Sequence, residues 1–273
     1  MTAGVTNGAP DGAGQPSQPA PGQAARPVGV APGAAETPIR KVARHLKTYH
    51  RALAHRIYAS KRDRADIVDG FHRYYHDLEA VGGTIQDTYW FGVKTLKLPL
   101  DLWMYQELLF RLRPDLIIET GTAHGGSALY LASICDLLGT GRVITIDIDA
   151  DATRPVHPRI TYRTGSSTDP VVVEEMRAAA ADATTVMVIL DSDHARDHVV
   201  GEMRAYTPLV TVGSYCIVED THVNGNPILP EHGPGPKEAV ESFLTTTDAF
   251  VVDRECEKFL MTFNRGGYLR RVG

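Results

Sequence analysis

Two short acidic runs carry the chemistry most open to inference. Asp191-Ser192-Asp193-His194 follows the apolar run 186–190, and Glu219-Asp220 follows 215–218. Both apolar runs read as buried strands. In a parallel sheet their carboxyl ends open onto one edge. Carboxylates converging there repel one another unless something neutralises them. A hard divalent cation such as Mg²⁺ suits oxygen ligands and keeps positions free for water or for two vicinal hydroxyls of a substrate. It would lower a hydroxyl's pKa and fix that oxygen for attack. His194 stands three residues beyond Asp191 at a helix opening, where it can take the hydroxyl proton as a general base. Plainer readings exist for each residue. Asp191 or Asp193 can cap the following helix, Glu219-Asp220 can open a solvated loop, and one His among 11 carries little information. Their coincidence at two strand ends of one sheet favours a shared site.

A nucleoside site is readable next to it. The first strand of the domain runs into Glu119-Thr120-Gly121-Thr122-Ala123-His124-Gly125-Gly126-Ser127. Glycines at a strand end let the backbone approach a ligand closely. The spacing G-x-x-x-G-G departs from the dinucleotide fingerprint G-x-G-x-x-G. An acid before the turn and glycines within it resemble the first motif of Rossmann-like methyltransferases, which implies that Gly121 lies beside the methionine part of S-adenosylmethionine. Asp147, with Asp149 close behind, ends the second strand and can accept both ribose hydroxyls, of NAD or of S-adenosylmethionine. Gly165-Ser166-Ser167 ends the third strand as an adenine-side loop; alone, it would be an ordinary turn.

The elements that must position these residues alternate. Helices are expected at 101–112, 126–138, 170–181, 195–206 and 237–246. Strands are expected at 116–118, 143–146, 160–162, 186–190 and 215–218, then at 249–253 and 258–264, with a last stretch at 267–271. Strands separated by helices predict an α/β, Rossmann-like domain with a mostly parallel seven-stranded sheet, and the adjacent final strands predict an antiparallel edge strand. This domain spans 100–273. Residues 39–99 form an N-terminal helical extension and active-site cover. Within it Val42, Leu46, Tyr49, Leu53 and Ile57 make one apolar stripe on a basic helix, 40–64. That helix reads as docked on the body or on a second subunit, which makes a homo-oligomer plausible, rather than as a nucleic-acid or membrane-surface element. A second helical stretch covers 65–80 and breaks at Gly82-Gly83. Residues 1–38, rich in Ala, Gly and Pro, read as a disordered tail.

The 273 residues carry a net charge of -5, so the chain is not built to bind polyanions. Three separated cysteines with no C-x-x-C fit a reducing compartment rather than a disulfide framework. No apolar run is long enough for a membrane span and no signal peptide is recognisable, so a cytoplasmic protein is expected.

From 87 to 271 the chain resembles the cephalosporin hydroxylase/rhamnosyl O-methyltransferase family. The matching pieces are Trp90-Phe91-Gly92, Lys97-Leu98-Pro99, Tyr105-Gln106-Glu107, Ile118-Glu119-Thr120-Gly121 through Gly126-Ser127, and Ile146-Asp147. Further on they are Gly165-Ser166-Ser167, Leu190-Asp191-Ser192-Asp193-His194-Ala195, Val218-Glu219-Asp220 and Thr262-Phe263-Asn264-Arg265-Gly266-Gly267. The resemblance implies that Asp191, Glu219 and Asp220 ligate Mg²⁺ and that His194 is the base. It implies S-adenosylmethionine contacts from Glu119, Thr120, Gly121, Gly126, Ser127, Asp147, Ser166, Ser167 and Asp191. It also implies methylation of a sugar hydroxyl. Some actinobacterial members resemble enzymes of methylated polysaccharides, including the mycobacterial methylmannose polysaccharide. The loop 221–236, with His222 and His232, is expected to form an acceptor pocket or lid. Segment 88–98, with Tyr89, Trp90 and Lys97, would close from the other side; Trp90 reads equally as a core anchor. Rival readings are a catechol-type phenolic methyltransferase, an NAD dehydrogenase, and a catalytically dead fold binding through its basic helix. A non-haem oxygenase is discounted, since no H-x-D or H-x-E occurs.

Overall fold

The computed structural model describes residues 41–43, 45–50, 61–76 and 83–273. The expected tail 1–38, the apolar positions Leu53 and Ile57, and the end of the second helical stretch lie outside the described residues. The chain divides into a first unit, Met1–Ile57, and a second, Tyr58–Gly273. In the first, residues 41–43 and 45–50 are helical, as the stripe of Val42, Leu46 and Tyr49 requires. All that follows concerns the second unit.

It opens with helix α1 (Lys61–His76), then a short hairpin of β1 (Tyr89–Trp90) and β2 (Val93–Lys94). Helix α2 (Pro99–Leu112) starts with Pro99 in its first turn, where a missing N–H costs nothing. Then β3 (Leu116–Thr120), α3 (Gly126–Leu138), β4 (Arg142–Asp147), β5 (Ile160–Thr164), α4 (Pro170–Ala181), β6 (Val186–Leu190), α5 (Arg196–Tyr206) and β7 (Tyr215–Val218) alternate. Asp169 caps α4 by accepting from the Val171 N–H at 2.7 Å. The chain ends with α6 (Pro236–Leu244), β8 (Phe250–Val252) and β9 (Tyr268–Arg271).

The sheet order is β5-β4-β3-β6-β7-β9-β8. Strands β3 to β7 are parallel; β9 runs antiparallel to both its neighbours, inserted between β7 and the outermost β8. Alternate side chains of the central strands feed two cores. Leu116, Ile118, Val188 and Leu190 pack with α4, α5 and α6. Ile117, Met187, Ile189 and Ile217 pack with α2 and α3. Helices on both faces explain why these strands are apolar throughout. All three cysteines are buried and unpaired. Among the described residues no helix is long and apolar enough to cross a membrane.

The expected strand at 258–264 is not one. The segment follows a 3-10 turn, Arg254–Glu257, joins no strand of the sheet, and is tied down at Thr262 and Phe263 by a side chain. Buried Asp101 accepts from the Phe263 N–H at 2.9 Å and from the Thr262 hydroxyl at 2.5 Å. The strand that pairs with β9 is 250–252.

Chain order reverses between β3 and β6: the sheet grows outward to β5, then returns. Ligands of such sheets bind at the strand carboxyl ends beside this reversal. The loops after β3 and β6 are therefore the place to look.

Candidate active site

The two loops touch. A Cβ on Gly121 would lie 1.7 Å from the Asp191 carbonyl oxygen, and Gly121 has a φ of +84°. Only glycine allows both the conformation and the approach. Beside this contact lies a cleft of about 320 Å³, lined by Gly121, Asp147, Ile148, Gly165, Ser166, Ser167, Ser192 and His198. The Asp147 carboxylate at the end of β4 is set by its neighbours. Oδ2 accepts from the N–H groups of Thr122 (3.0 Å) and Ala123 (2.8 Å), and Oδ1 from Asp149 (3.0 Å). Arg154 adds a guanidinium at 3.3 Å and ties the following loop to the turn through the Ala123 carbonyl.

Not every residue expected at the cofactor lies in the cleft. Glu119 and Thr120 are fully buried in β3. Glu119 accepts from the Ser127 hydroxyl and, at 2.7 Å, from Thr145, so Glu119 and Ser127 brace the glycine turn from below. Gly126 serves packing: a Cβ there would meet the Lys94 carbonyl oxygen at 2.2 Å. That lets the β1–β2 hairpin cross the start of α3. On the far side of the cleft the His198 ring nitrogen lies 3.2 Å from the Ser167 hydroxyl and 3.1 Å from that of Ser192. Neither Arg154 nor His198 was legible in the sequence, because each acts through contacts formed only by the fold.

At the ends of β6 and β7 the acids converge. Ligand atoms of Asp191, His194 and Asp220 all lie within 4.8 Å of one another. His194 Nε2 sits 3.5 Å from Asp191 Oδ1 and 3.3 Å from Asp220 Oδ2. Asp220 has a φ of +53°, the left-handed region that a non-glycine residue enters at a cost, and its N–H is held by Asn264 Oδ1 at 3.1 Å. Asp193 does not join the group; it accepts from the Ala195 N–H at 2.6 Å at the entry to α5.

Glu219 points into the protein. Its Oε2 accepts from Lys97 Nζ at 2.7 Å and its Oε1 from the Tyr105 hydroxyl at 2.6 Å. Lys97 also pairs with Asp191 Oδ2 and is only 4% exposed. Burial opposes an ammonium there, but Asp191 and Glu219 outweigh it and hold Lys97 charged. Burial pushes Glu219 up to about 8; Lys97 relieves it only in part, because Asp191 and Asp220 crowd it. Burial likewise raises Asp220 to about 6, with Asp191 adding to it. Burial would lower His194, yet its bond to Asp191 and the charge of Asp220 raise it to about 9. Together these shifts describe acids crowded into a buried pocket, where His194 gains a proton that Asp191 and Asp220 stabilise.

The loop after β7 is the one expected to form the acceptor pocket or lid. His222 is buried, stacked on Phe263 with centroids 4.1 Å apart, and faces His76 of α1 across 3.4 Å between ring nitrogens. Next to it a cavity of about 210 Å³ opens among Asp69 of α1, Thr221, Asn226, Lys237 and Arg265. Trp90 is spent on α3: its ring meets Tyr130 at 4.8 Å and its N–H donates to Ser133 Oγ. Tyr89 is exposed, and His232 is exposed and pairs with its neighbour Glu231 at 3.4 Å. Neither is among the groups gathered at the acid cluster.

Turn 121–125 lacks the G-x-G-x-x-G spacing of a dinucleotide site. The sheet order, with one antiparallel strand beside the edge, and a strand-end acid in the cleft are those of the Rossmann-like methyltransferase class. Within that class, the family model described as Rhamnosyl O-methyltransferase/CmcI matches residues 83–272, and the chain belongs to that family. It is 37% identical over 183 residues to a Rhamnosyl O-methyltransferase of Mycobacterium bovis, covering 65% of this chain and 73% of the relative. The Mycobacterium leprae Rhamnosyl O-methyltransferase is 37% identical over 213 residues, covering 75% and 90%. An apo structure of CmcI superposes with a TM-score of 0.54 at 26% identity, over 74% of this chain and 84% of that one. A CmcI structure described as Mg-SAM gives a TM-score of 0.55 at 24% identity, with the same coverage.

Proposed function

We propose that the protein transfers a methyl group from S-adenosylmethionine to a sugar hydroxyl, of an oligosaccharide, a polysaccharide precursor or a glycosylated metabolite. Mg²⁺ would be held by Asp191, Glu219 and Asp220. The observation that carries this reading is the convergence of Asp191, His194 and Asp220 beside the cleft that Asp147 closes. The residues fit a hard cation. They offer carboxylate oxygens, and burial together with their own crowding raises Glu219 and Asp220, which a cation would relieve. Each carboxylate oxygen keeps lone pairs, so the bond from Lys97 does not exhaust Glu219.

Mg²⁺ supplies the charge that acidifies the acceptor hydroxyl, and S-adenosylmethionine supplies the sulfonium methyl. The chain's own residues do the rest. Asp147 takes the ribose hydroxyls, with its carboxylate fixed by the Thr122 and Ala123 amides. Gly121 lets the cofactor lie against the backbone. His194 Nε2 takes the acceptor proton at the open side of the cluster, where its side chain is 39% exposed. Its raised pKa comes from Asp191 and Asp220, so neutralising those acids returns it toward the range of a base. Asp69, Asn226, Lys237 and Arg265 offer the hydroxyl-binding groups of the acceptor side, to which α1 contributes Asp69.

Isothermal titration with S-adenosylmethionine and with NAD, on the wild type and on Asp147→Ala, tests the reading. Binding of S-adenosylmethionine, lost in the variant, is the expected result. Binding of NAD, or of neither, overturns it.

A further inference from the structure

Lys97 puts a fixed cation inside the acid cluster. It lies between the β1–β2 hairpin and the first turn of α2, and the backbone on both sides of it is anchored. Thr95 N–H bonds the Thr88 carbonyl at 2.9 Å, Leu98 is 2% exposed, and Gly126 seats the hairpin against α3. The ammonium divides the cluster in two. On the inner side it bonds Asp191 Oδ2 and Glu219 Oε2, while Tyr105 takes Glu219 Oε1. On the outer side Asp191 Oδ1, Asp220 and His194 stay together.

We propose that Lys97 is the built-in counter-ion of this cluster, cancelling one of the three negative charges of Asp191, Glu219 and Asp220, so that one divalent cation beside a neutral His194 leaves the site neutral. This rests on the reading above that a divalent cation binds there. Without Lys97 the empty pocket would hold three buried carboxylates with no fixed cation beside the inner pair, a costly arrangement. A bound divalent ion would then face more negative charge and one less repelling ammonium. Lys97 therefore stabilises the metal-free protein and weakens metal binding. A side chain that merely packed would do neither selectively.

The test compares wild type, Lys97→Met and Lys97→Arg as full chains, by thermal unfolding in chelator and in saturating MgCl₂, and by calorimetric titration of Mg²⁺. Lys97→Met is expected to melt lower than wild type in chelator. It should gain more from Mg²⁺ and bind Mg²⁺ at least roughly tenfold more tightly, since a like charge has been removed from a low-dielectric site. Lys97→Arg, which keeps the charge, should match wild type in Mg²⁺ affinity and in the stabilisation gained from Mg²⁺, even where its bulk lowers melting in both conditions. If Lys97→Met does not accumulate folded, recovery on refolding with Mg²⁺ supports the proposal. Failure to recover with Mg²⁺, while Lys97→Arg folds, overturns it. Equal Mg²⁺ increments, or weaker Mg²⁺ binding in Lys97→Met, also overturn it while leaving the metal reading intact. Absence of Mg²⁺ binding to the wild type removes the metal reading and the counter-ion role with it.

Discussion

Gly121→Ala is a sharp perturbation of the site because two separate costs can be read from the structure. At a φ of +84° an alanine pays the left-handed penalty, about 1–2 kcal/mol. Its Cβ would also lie 1.7 Å from the Asp191 carbonyl oxygen and 2.5 Å from the carbonyl carbon, where ordinary contact begins at 3.4 Å. The atom met is backbone, so no side chain can swing aside. Forcing the β3 and β6 ends apart costs about 1–3 kcal/mol more, by analogy with overpacked cores. The peptide displaced is the one that carries Asp191. Gly139→Ala is the control: its φ is +73° and nothing lies within 4 Å of the added carbon, so it bears the conformational cost alone. Urea unfolding of both variants, followed by Trp fluorescence, should place Gly121→Ala roughly 1–3 kcal/mol below Gly139→Ala. Calorimetry should show that Gly121→Ala alone loses S-adenosylmethionine binding. Equal stabilities with unchanged cofactor affinity would refute the claim that the two loops are held in contact by the absence of a side chain.

Three further outcomes are expected. Tyr105→Phe removes the hydroxyl that donates to Glu219 and accepts from Asn264, so it should cost about 2 kcal/mol in denaturant unfolding. His194→Gln should lower methyl transfer about 10²–10⁴-fold in a single-turnover assay while S-adenosylmethionine affinity is kept, since His194 does not line the cleft. His72 is buried, both its ring nitrogens lack a partner, and burial with the nearby Arg265 charge lowers it to about 4. The unfolded chain takes up this proton near pH 6.5 and the folded one near 4. Stability is therefore undiminished above 6.5 and falls toward 4, by at most about 3 kcal/mol. In His72→Phe that component should vanish from unfolding curves between pH 7 and 4.

The central strands were legible because burial on both faces leaves unbroken apolar runs: 186–190 and 215–218 are strands with the boundaries the sequence suggests. The acids after them could be placed at one edge by topology alone. The pattern failed where apolar residues serve a loop. Phe259, Leu260, Met261 and Phe263 read as a strand, but Asp101, 161 positions before Thr262, takes the Thr262 hydroxyl and the Phe263 N–H, and the segment stays outside the sheet. Distance along the chain also hid Lys97, which meets Asp191 from 94 positions away. A lysine beside a Pro-started helix looks like any solvated lysine until the sheet brings it to the acids. Glu119 was misplaced for the opposite reason: an acid at a strand end suggests ligand contact, whereas here it bonds Ser127 and Thr145 beneath the turn.

Helix α1 lies before the residues that the family model matches, yet its His72 and His76 rest on His222 and Phe263, and its Asp69 pairs with Arg265 at 3.7 Å. The acids of the cluster follow strands β6 and β7, while the cavity beside His222 takes part of its wall from α1. If that cavity receives the acceptor, as proposed above, substitutions in α1 would retune what fits there without touching the carboxylates, so partner choice and chemistry could change separately.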